Sequence, residues 1–400
     1  MPDRLRILVV SGEPPYPPTY GGARIRLFHL LKQLSPRHDF TLLTLLETQE
    51  DRGFVKPLED YCQRVFSFDS PPATTRPRLC DRVRAPAYRL AFSRQLAEAL
   101  SNEVRHGRYD LVHIETSRMA VYTPLLGGCR KIIDAVDSST LHHRNQAALA
   151  QGARARLRAC CLQFLVTRFE RANFRHYDAG VTVAGRDAEV IRQLCPALTV
   201  HVIPNGVNPD FFQFNADSPE DPARLIFTGT MDYAPNVDAV VWFTQQILPQ
   251  IRRAVPEVRF HIVGRNPTPR VLQLAGEHGG VAVEGFAPDL RPHLARSSVY
   301  VCPLRTGAGM KNKMLEAMAI GKAIVTTAEG ASGNDGRDGE HFRIATSPQD
   351  FAEAVTTLLR SPERRHRMGS DARAFVQQHY SWEHSAALFE QLYLDVARNR

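Results

Sequence analysis

The sequence predicts an α/β protein built from two successive parallel-sheet domains with a helical tail. Short, branched apolar runs alternate with stretches of helical apolar spacing along the chain, the pattern of strands joined by crossover helices. A cluster of turn formers near residue 205 interrupts that alternation, and the pattern then restarts. The length of 400 residues, at roughly 150 per domain, agrees with two or three domains.

The first strand is read over residues 5–10, short, branched and closed by Ser11-Gly12. Residues 13–22 carry four prolines and the pair Gly21-Gly22, which continue neither helix nor ladder. The spacing of Ile25, Phe28, Leu31 and Leu34 then predicts a helix over 23–34, behind a special loop. Further strands are expected at 40–46, 111–114, 131–134 and 180–183, with a helix at 93–105. Residues 200–208 pass from a short strand into Pro204-Asn205-Gly206, and with Phe211-Phe212 and the turn-rich 217–222 they read as a linker. Beyond it come strands at 225–229, 259–264, 299–303 and 323–327, and helices at 236–253, 311–320 and 348–359. Residues 363–396 read as nearly continuous helix with a break around 379–382. The domains are accordingly placed at 1–205 and 206–378, with a C-terminal segment at 379–400. Ligands of open α/β sheets sit outside the carboxyl ends of the strands, so two facing domains imply a site in the cleft between them.

Composition narrows the function. Hydrophobic residues at 43% and charged residues at 23% describe a soluble globular chain and exclude a disordered tail. The balance of 50 Lys and Arg against 42 Asp and Glu, net +8, favours an anionic partner: nucleic acid, a phosphorylated substrate or acidic lipid. Seven cysteines without a C-x-x-C pair fit a reducing compartment, and the apolar run Ile7-Leu8-Val9-Val10 is too short for a signal-peptide core or a membrane span. A cytoplasmic protein is expected. No G-x-G-x-x-G follows the first strand, and Gly321-Lys322-Ala323 is not a phosphate loop of the Walker type. No H-E-x-x-H, spaced Cys/His set or D-x-D occurs, so no metal is expected, and basic residues must meet the charge of any phosphorylated leaving group.

The most informative stretch runs from Pro303 to Ala319. A strand ends at Pro303, Gly307 and Gly309 permit close backbone approach, and a helix opens near Met310, where free N–H groups and the dipole make an anion site. Arg305, Lys311 and Lys313 add three cations suited to a diphosphate. Glu316 lies one helical turn after Lys313, where a carboxylate can accept hydrogen bonds from two neighbouring ribose hydroxyls. The plainer alternative is that Lys313 and Glu316 form an i,i+3 surface pair.

Together with Ile203-Pro-Asn-Gly-Val207, residues 227–236 (FTGTMDYAPN), residues 260–265 (FHIVGR), Val283-Glu-Gly-Phe286 and residues 313–325 (KMLEAMAIGKAIV), this stretch resembles the GT-B glycosyltransferases of family 4. The similarity covers essentially the whole chain and is closest to bacterial sugar transferases of exopolysaccharide clusters. It implies two Rossmann-like domains facing a central cleft, with a C-terminal helix crossing back to the first. It also implies retaining transfer from a nucleotide-diphosphate sugar to a glycan or lipid-linked acceptor. Donor binding is expected at Gly21, Gly22, Gly229, Arg265, Phe286, Gly307, Gly309, Met310, Lys311 and Glu316, and catalysis at Glu115, Asp137, Arg305 and Lys313.

Departures from the family pattern matter here. Ala308 stands where the family has a Glu near the donor sugar, and Thr230-Met-Asp-Tyr-Ala-Pro-Asn236 lacks the Arg and Lys that usually hold the diphosphate; Arg305 and Lys313, with Arg265, are expected to supply that charge. Alignment from Asp110 puts Glu115, not His113, where the family often has a His; His113 reads equally as a plain strand residue, and Asp137 as a helix cap. Gly21-Gly22 reads either as a bare turn or as backbone contact with the donor. Arg-rich stretches at 76–118 and 153–175 suit either a solvated face or an anionic inner-membrane surface. A sugar-nucleotide epimerase and a non-catalytic binding subunit are the competing functions, and the arginines lack a nucleic-acid recognition motif.

Overall fold

A computed structural model describes residues 4–17, 22–71, 92–150, 152–212, 220–277 and 279–398. Gly21 and Arg76, Arg78, Arg82, Arg84 and Arg89 of the first Arg-rich stretch lie outside the described residues. The chain divides into two compact units, Met1–Asn205 with Trp382–Arg400, and Gly206–Ser381.

In the first unit, strands β1 (Arg6–Ser11), β2 (Asp39–Leu46), β3 (Arg64–Asp69), β4 (Leu111–Glu115), β5 (Lys131–Val136), β6 (Ala179–Thr182) and β7 (Val200–Val202) form one parallel sheet, ordered β3-β2-β1-β4-β5-β6-β7. The helices are α1 (Gly22–Leu34), α2 (Arg94–His106), α3 (Ser139–Leu149), α4 (Ala153–Phe174) and α5 (Gly185–Leu194). Strands of a doubly covered sheet bury both faces and read as continuous apolar runs. Thus Leu8 and Val10 join one core with Leu96, Leu100 and Phe169, while Ile7 and Val9 join another with Leu27, Leu31 and Phe389. Strand β3 escapes sequence reading because its residues are mostly half-exposed or exposed, leaving no such run.

The second unit adds β8 (Asp221–Thr228), α6 (Ala234–Trp242), α7 (Leu248–Ala254), β9 (Arg259–Val263), α8 (Pro269–Glu277), β10 (Val281–Gly285), α9 (Arg291–Arg296), β11 (Ser297–Cys302), α10 (Asn312–Ala319), β12 (Ala323–Thr326), α11 (Ala328–Ala331), β13 (Arg343–Ile344), α12 (Pro348–Arg360) and α13 (Pro362–His379). Its parallel sheet is ordered β10-β9-β8-β11-β12-β13. The helix expected over 236–253 is interrupted by a π-turn at Phe243–Ile247. Pro249 has no N–H to give the preceding turn, and Leu248 N–H bonds Phe243 O instead.

The chain returns to the first unit at Trp382, three residues later than the expected boundary at 379, and α14 (Trp382–Arg398) packs there. Trp382 stacks on His29 of α1 with ring centroids 4.5 Å apart, and Phe389, Leu392, Tyr393 and Val396 are buried. Each such side chain contributes about 1.5–3 kcal/mol over exposure.

In each sheet the strand order reverses at one place, between β1 and β4 in the first and between β8 and β11 in the second. Loops at the carboxyl ends of those strands diverge there, and ligands of open α/β sheets bind there. The predicted residues Glu115, Gly229 and Arg305 all lie at those ends.

Candidate active site

In the second unit, the site is built on the loop between β11 and α10 and on the turn after β8. Gly229 has φ +153° and Gly264 φ +157°, and a Cβ on Gly264 would stand 1.7 Å from the Gly229 carbonyl oxygen, so the two backbones meet only as glycines. This approach brings the Lys313 ammonium within 2.6 Å of where a Cβ on Gly229 would lie. Lys313 Nζ donates to Asn236 Oδ1 at 2.7 Å and sits 4.2 Å from the Phe227 ring centroid. Asn236 in turn donates to Thr230 O at 2.8 Å, which sets its amide and so the direction of Lys313. Desolvation lowers the Lys313 pKa to about 8, with Cys302 and Glu316 opposing the shift. Glu316, one turn along α10, is pushed above the usual carboxylate range by the same desolvation, and Lys313 partly offsets it. Helix α10 receives no side-chain cap from Lys311 at its N-cap.

Two expected cations are placed differently. Arg305 gives its fork to Asp238, at 2.9 Å from Nε and 2.5 Å from Nη2, and lies 5.2 Å from the Trp242 ring centroid. Lys311 turns back on its own loop, donating to Ala308 O at 3.1 Å and Gly309 O at 2.9 Å beside Gly307. Arg305 is therefore turned to α6, and Lys311 braces the glycine loop, so Lys313 is the lysine aimed at the switch point. Substituting Arg305→Ala should change donor affinity by no more than about threefold, measured by titration calorimetry, because an exposed ion pair and not a ligand contact is lost.

Of the other predicted donor residues, Arg265 reaches Thr230 Oγ1 at 3.4 Å, Met310 packs on the core, and Phe286 stands 58% exposed after β10. Gly309 has φ +64°, a left-handed conformation natural to glycine. Gly22 opens α1. Lys322, set aside above as a phosphate-loop lysine, is buried and donates to the carbonyls of Ala295 and Ser297 at 2.8 Å.

In the first unit, Glu115 ends β4 at 2% exposure, and its Oε1 has no hydrogen-bond partner. Burial, with Asp134 and Glu13 nearby, pushes its carboxyl well above the usual range. Thr116 and Val136, immediately after Glu115 and before Asp137, hold φ +67° and +63°. Left-handed backbone at β-branched residues is strained and gathers at functional sites. Glu170 underpins the edge, accepting from Ser117 Oγ, Ser139 N and Thr140 Oγ1. Asp137 is half-buried and precedes the true cap of α3, Ser138, whose hydroxyl accepts from Leu141 N. His113 is fully buried, its Nδ1 2.7 Å from the Tyr393 hydroxyl and its pKa lowered to about 4 by desolvation. Strand alternation turns it toward α14, so it is a core residue.

Sequence reading missed Arg26, which bonds Asp134 at 2.7 Å, Asn205 Oδ1 at 2.9 Å and Pro204 O at 3.3 Å, tying α1 and β5 to the chain's exit from the unit. An arginine among the apolar positions of a helix was the available signal. Asn236 gives no sign of its role in the sequence beyond its place at the end of residues 227–236. Among the described residues, no group of three or more His, Cys, Asp or Glu is placed to hold a metal ion.

Two parallel α/β units of doubly wound order, with the last helix returned to the first, define the GT-B class of glycosyltransferases. Residues 20–211 match the family described as Glycosyltransferase Family 4 and residues 222–361 that described as Glycosyl transferases group 1. The chain belongs to these glycosyltransferases and is an enzyme of that kind. It is 21% identical to a protein described as an uncharacterized 44.6 kDa protein in the cps region of Klebsiella pneumoniae, over 94% of this chain and 96% of that protein. It is 28% identical to a GDP-mannose-dependent alpha-(1-6)-phosphatidylinositol monomannoside mannosyltransferase of Mycolicibacterium smegmatis, over 49% of this chain and 56% of that protein. Anabaena Alr3699/HepE, solved in complex with UDP-glucose, superposes with TM-score 0.68 at 15% identity, over 97% of this chain and 99% of that one.

Proposed function

We propose that this enzyme transfers a hexosyl group from a nucleotide-diphosphate sugar to a glycan or lipid-linked acceptor in bacterial exopolysaccharide or cell-surface polysaccharide synthesis, with retention and without a metal. The carrying observation is Lys313 beside Gly229, with Glu316 one turn further along α10: a directed ammonium for the diphosphate, and a carboxylate to meet ribose hydroxyls. In the reaction the bond from the anomeric carbon to the diphosphate oxygen breaks, the acceptor oxygen bonds that carbon, the acceptor proton is released and the nucleoside diphosphate departs. The departing oxygen gains negative charge, which Lys313 and the positive end of the α10 dipole would stabilise.

In the first unit, Glu115 would orient a hydroxyl of the acceptor or transferred sugar, with Asp137 and Gly22 as the other groups of that edge. The cps-region relative supports the polysaccharide setting, and the UDP-glucose complex of HepE supports a nucleotide-sugar donor. The mannosyltransferase relative, whose name includes phosphatidylinositol, supports an acceptor with a lipid part. Retention rests on the family resemblance, and the metal-free reading on the absence of a D-x-D triplet.

The test is a thermal-shift screen of nucleotide sugars, followed by turnover with the best donor in EDTA. One donor should raise Tm by several degrees at about 100 times its Kd, turnover should survive chelation, and Glu316→Ala should remove most of the shift. A donor that binds but turns over only with added metal would sink the metal-free part. No shift with any nucleotide sugar would sink the whole reading.

A further inference from the structure

Helix α4 carries an outward face that its own fold does not use. Its buried residues, Val166, Phe169, Glu170 and Phe174, fall on one side of the helix. On the other side Leu157, Cys160, Cys161 and Phe164 recur at i, i+3, i+4 and i+7, a second apolar stripe where a surface helix is ordinarily polar. All four are exposed, Leu157 at 66% and Phe164 at 60%. Arg154 and Arg158 run along one edge of the stripe and Arg156 along the other, all exposed. Arg168 continues it, its guanidinium 5.7 Å from the Phe164 ring centroid. No Asp or Glu occurs from Ser139 to Phe169, so α3 and this part of α4 offer no intrinsic counter-charge. Among the described residues, no helix is long and apolar enough to cross a membrane.

We propose that this face is a docking surface for an anionic lipid bilayer. Leu157 and Phe164 enter the boundary between headgroups and acyl chains, the two thiols add soft apolar area, and the arginines keep their stems on the stripe and their guanidinium groups at lipid phosphates. Both halves of the face are needed to select this occupant. A second copy of the chain would set arginine against arginine. A nucleic-acid backbone would satisfy the arginines and leave Leu157 and Phe164 in water. The inference lies within the first unit and does not rest on the donor reading, though a lipid-linked acceptor would be found at such a surface.

Vesicle co-sedimentation of the full chain tests it, with phosphatidylcholine alone and with added phosphatidylglycerol, at low and high salt. Binding is expected to the anionic vesicles, to weaken with salt, and to be lost on the neutral ones. Replacing Arg154, Arg156 and Arg158 with Glu should lower vesicle affinity at least roughly hundredfold. The double change Leu157→Ser and Phe164→Ser should also release the protein, with Tm unchanged because both side chains are already exposed. Equal binding to both vesicle types, no binding to either, or variants that bind like wild type would overturn the proposal. So would sedimentation velocity showing a wild-type dimer that the Ser variant splits, which would make the stripe a protein interface. Donor-induced thermal shift in the same variants stays at the wild-type value, so a failure of docking is told apart from a failure of the nucleotide-sugar reading.

Discussion

Replacing Lys313 with Met is expected to lower kcat/KM for the nucleotide-sugar donor by roughly 10³-fold, about 4 kcal/mol of transition-state stabilisation. The size follows from how completely the ammonium is positioned. Asn236 fixes its direction, Phe227 lies beneath it, and the Gly229 turn leaves no side chain in front of it. A preorganised charge needs no reorganisation as the leaving diphosphate develops its own, and Arg305 and Lys311 are engaged elsewhere in the unit. Methionine keeps the length and the contact with Phe227, so Tm should move little while activity collapses. The pH profile offers an independent check. With a pKa near 8, the ammonium of the unliganded enzyme is lost as pH rises through 8, so donor KM should climb above that pH. In the Met variant that climb should be absent. Donor KM and kcat matching wild type would mean that Lys313 is only an internal partner of Asn236.

Much of this architecture was legible because parallel strands buried on both faces leave unbroken apolar runs, as at Leu8 to Val10 and Leu225 to Phe227. The strand at Arg64–Asp69 was not legible, since its half-exposed residues have no such signature. The same distinction governs the site. Lys313 and Glu316 were readable as candidates from a strand-loop-helix pattern, because that reading depends on local spacing, whereas Gly229 entered only through the family resemblance. Which cation faces the switch point was not readable, because it depends on contacts across long separations: Lys313 with Asn236, and Arg305 with Asp238. Composition alone counted these cations as equivalent. Arg26 was hidden for a related reason, since its partners Asp134 and Asn205 lie more than a hundred residues away.

Glu115→Gln is expected to raise stability at neutral pH by about 1–2 kcal/mol while lowering turnover roughly 10²-fold. The two effects have one cause. A buried carboxyl without a hydrogen-bond partner at Oε1, beside Asp134, favours its protonated form, so its folded pKa stands above the unfolded value. The folded state then binds more protons than the unfolded state between the unfolded and the folded pKa. Its contribution is favourable at low pH and is lost as pH rises through the folded pKa. Glutamine does not titrate, so urea denaturation should show the variant gaining on wild type as pH rises above the usual carboxylate range, with little difference at pH 4. Strain at Thr116, next in the chain, and at Val136 on the neighbouring strand adds to what the fold tolerates at this edge. Such a local cost persists where function requires it. Turnover is the discriminating measurement: a stabilised variant with full activity would reduce Glu115 to a buried acid, whereas the combined gain and loss would place it at the reacting hydroxyl.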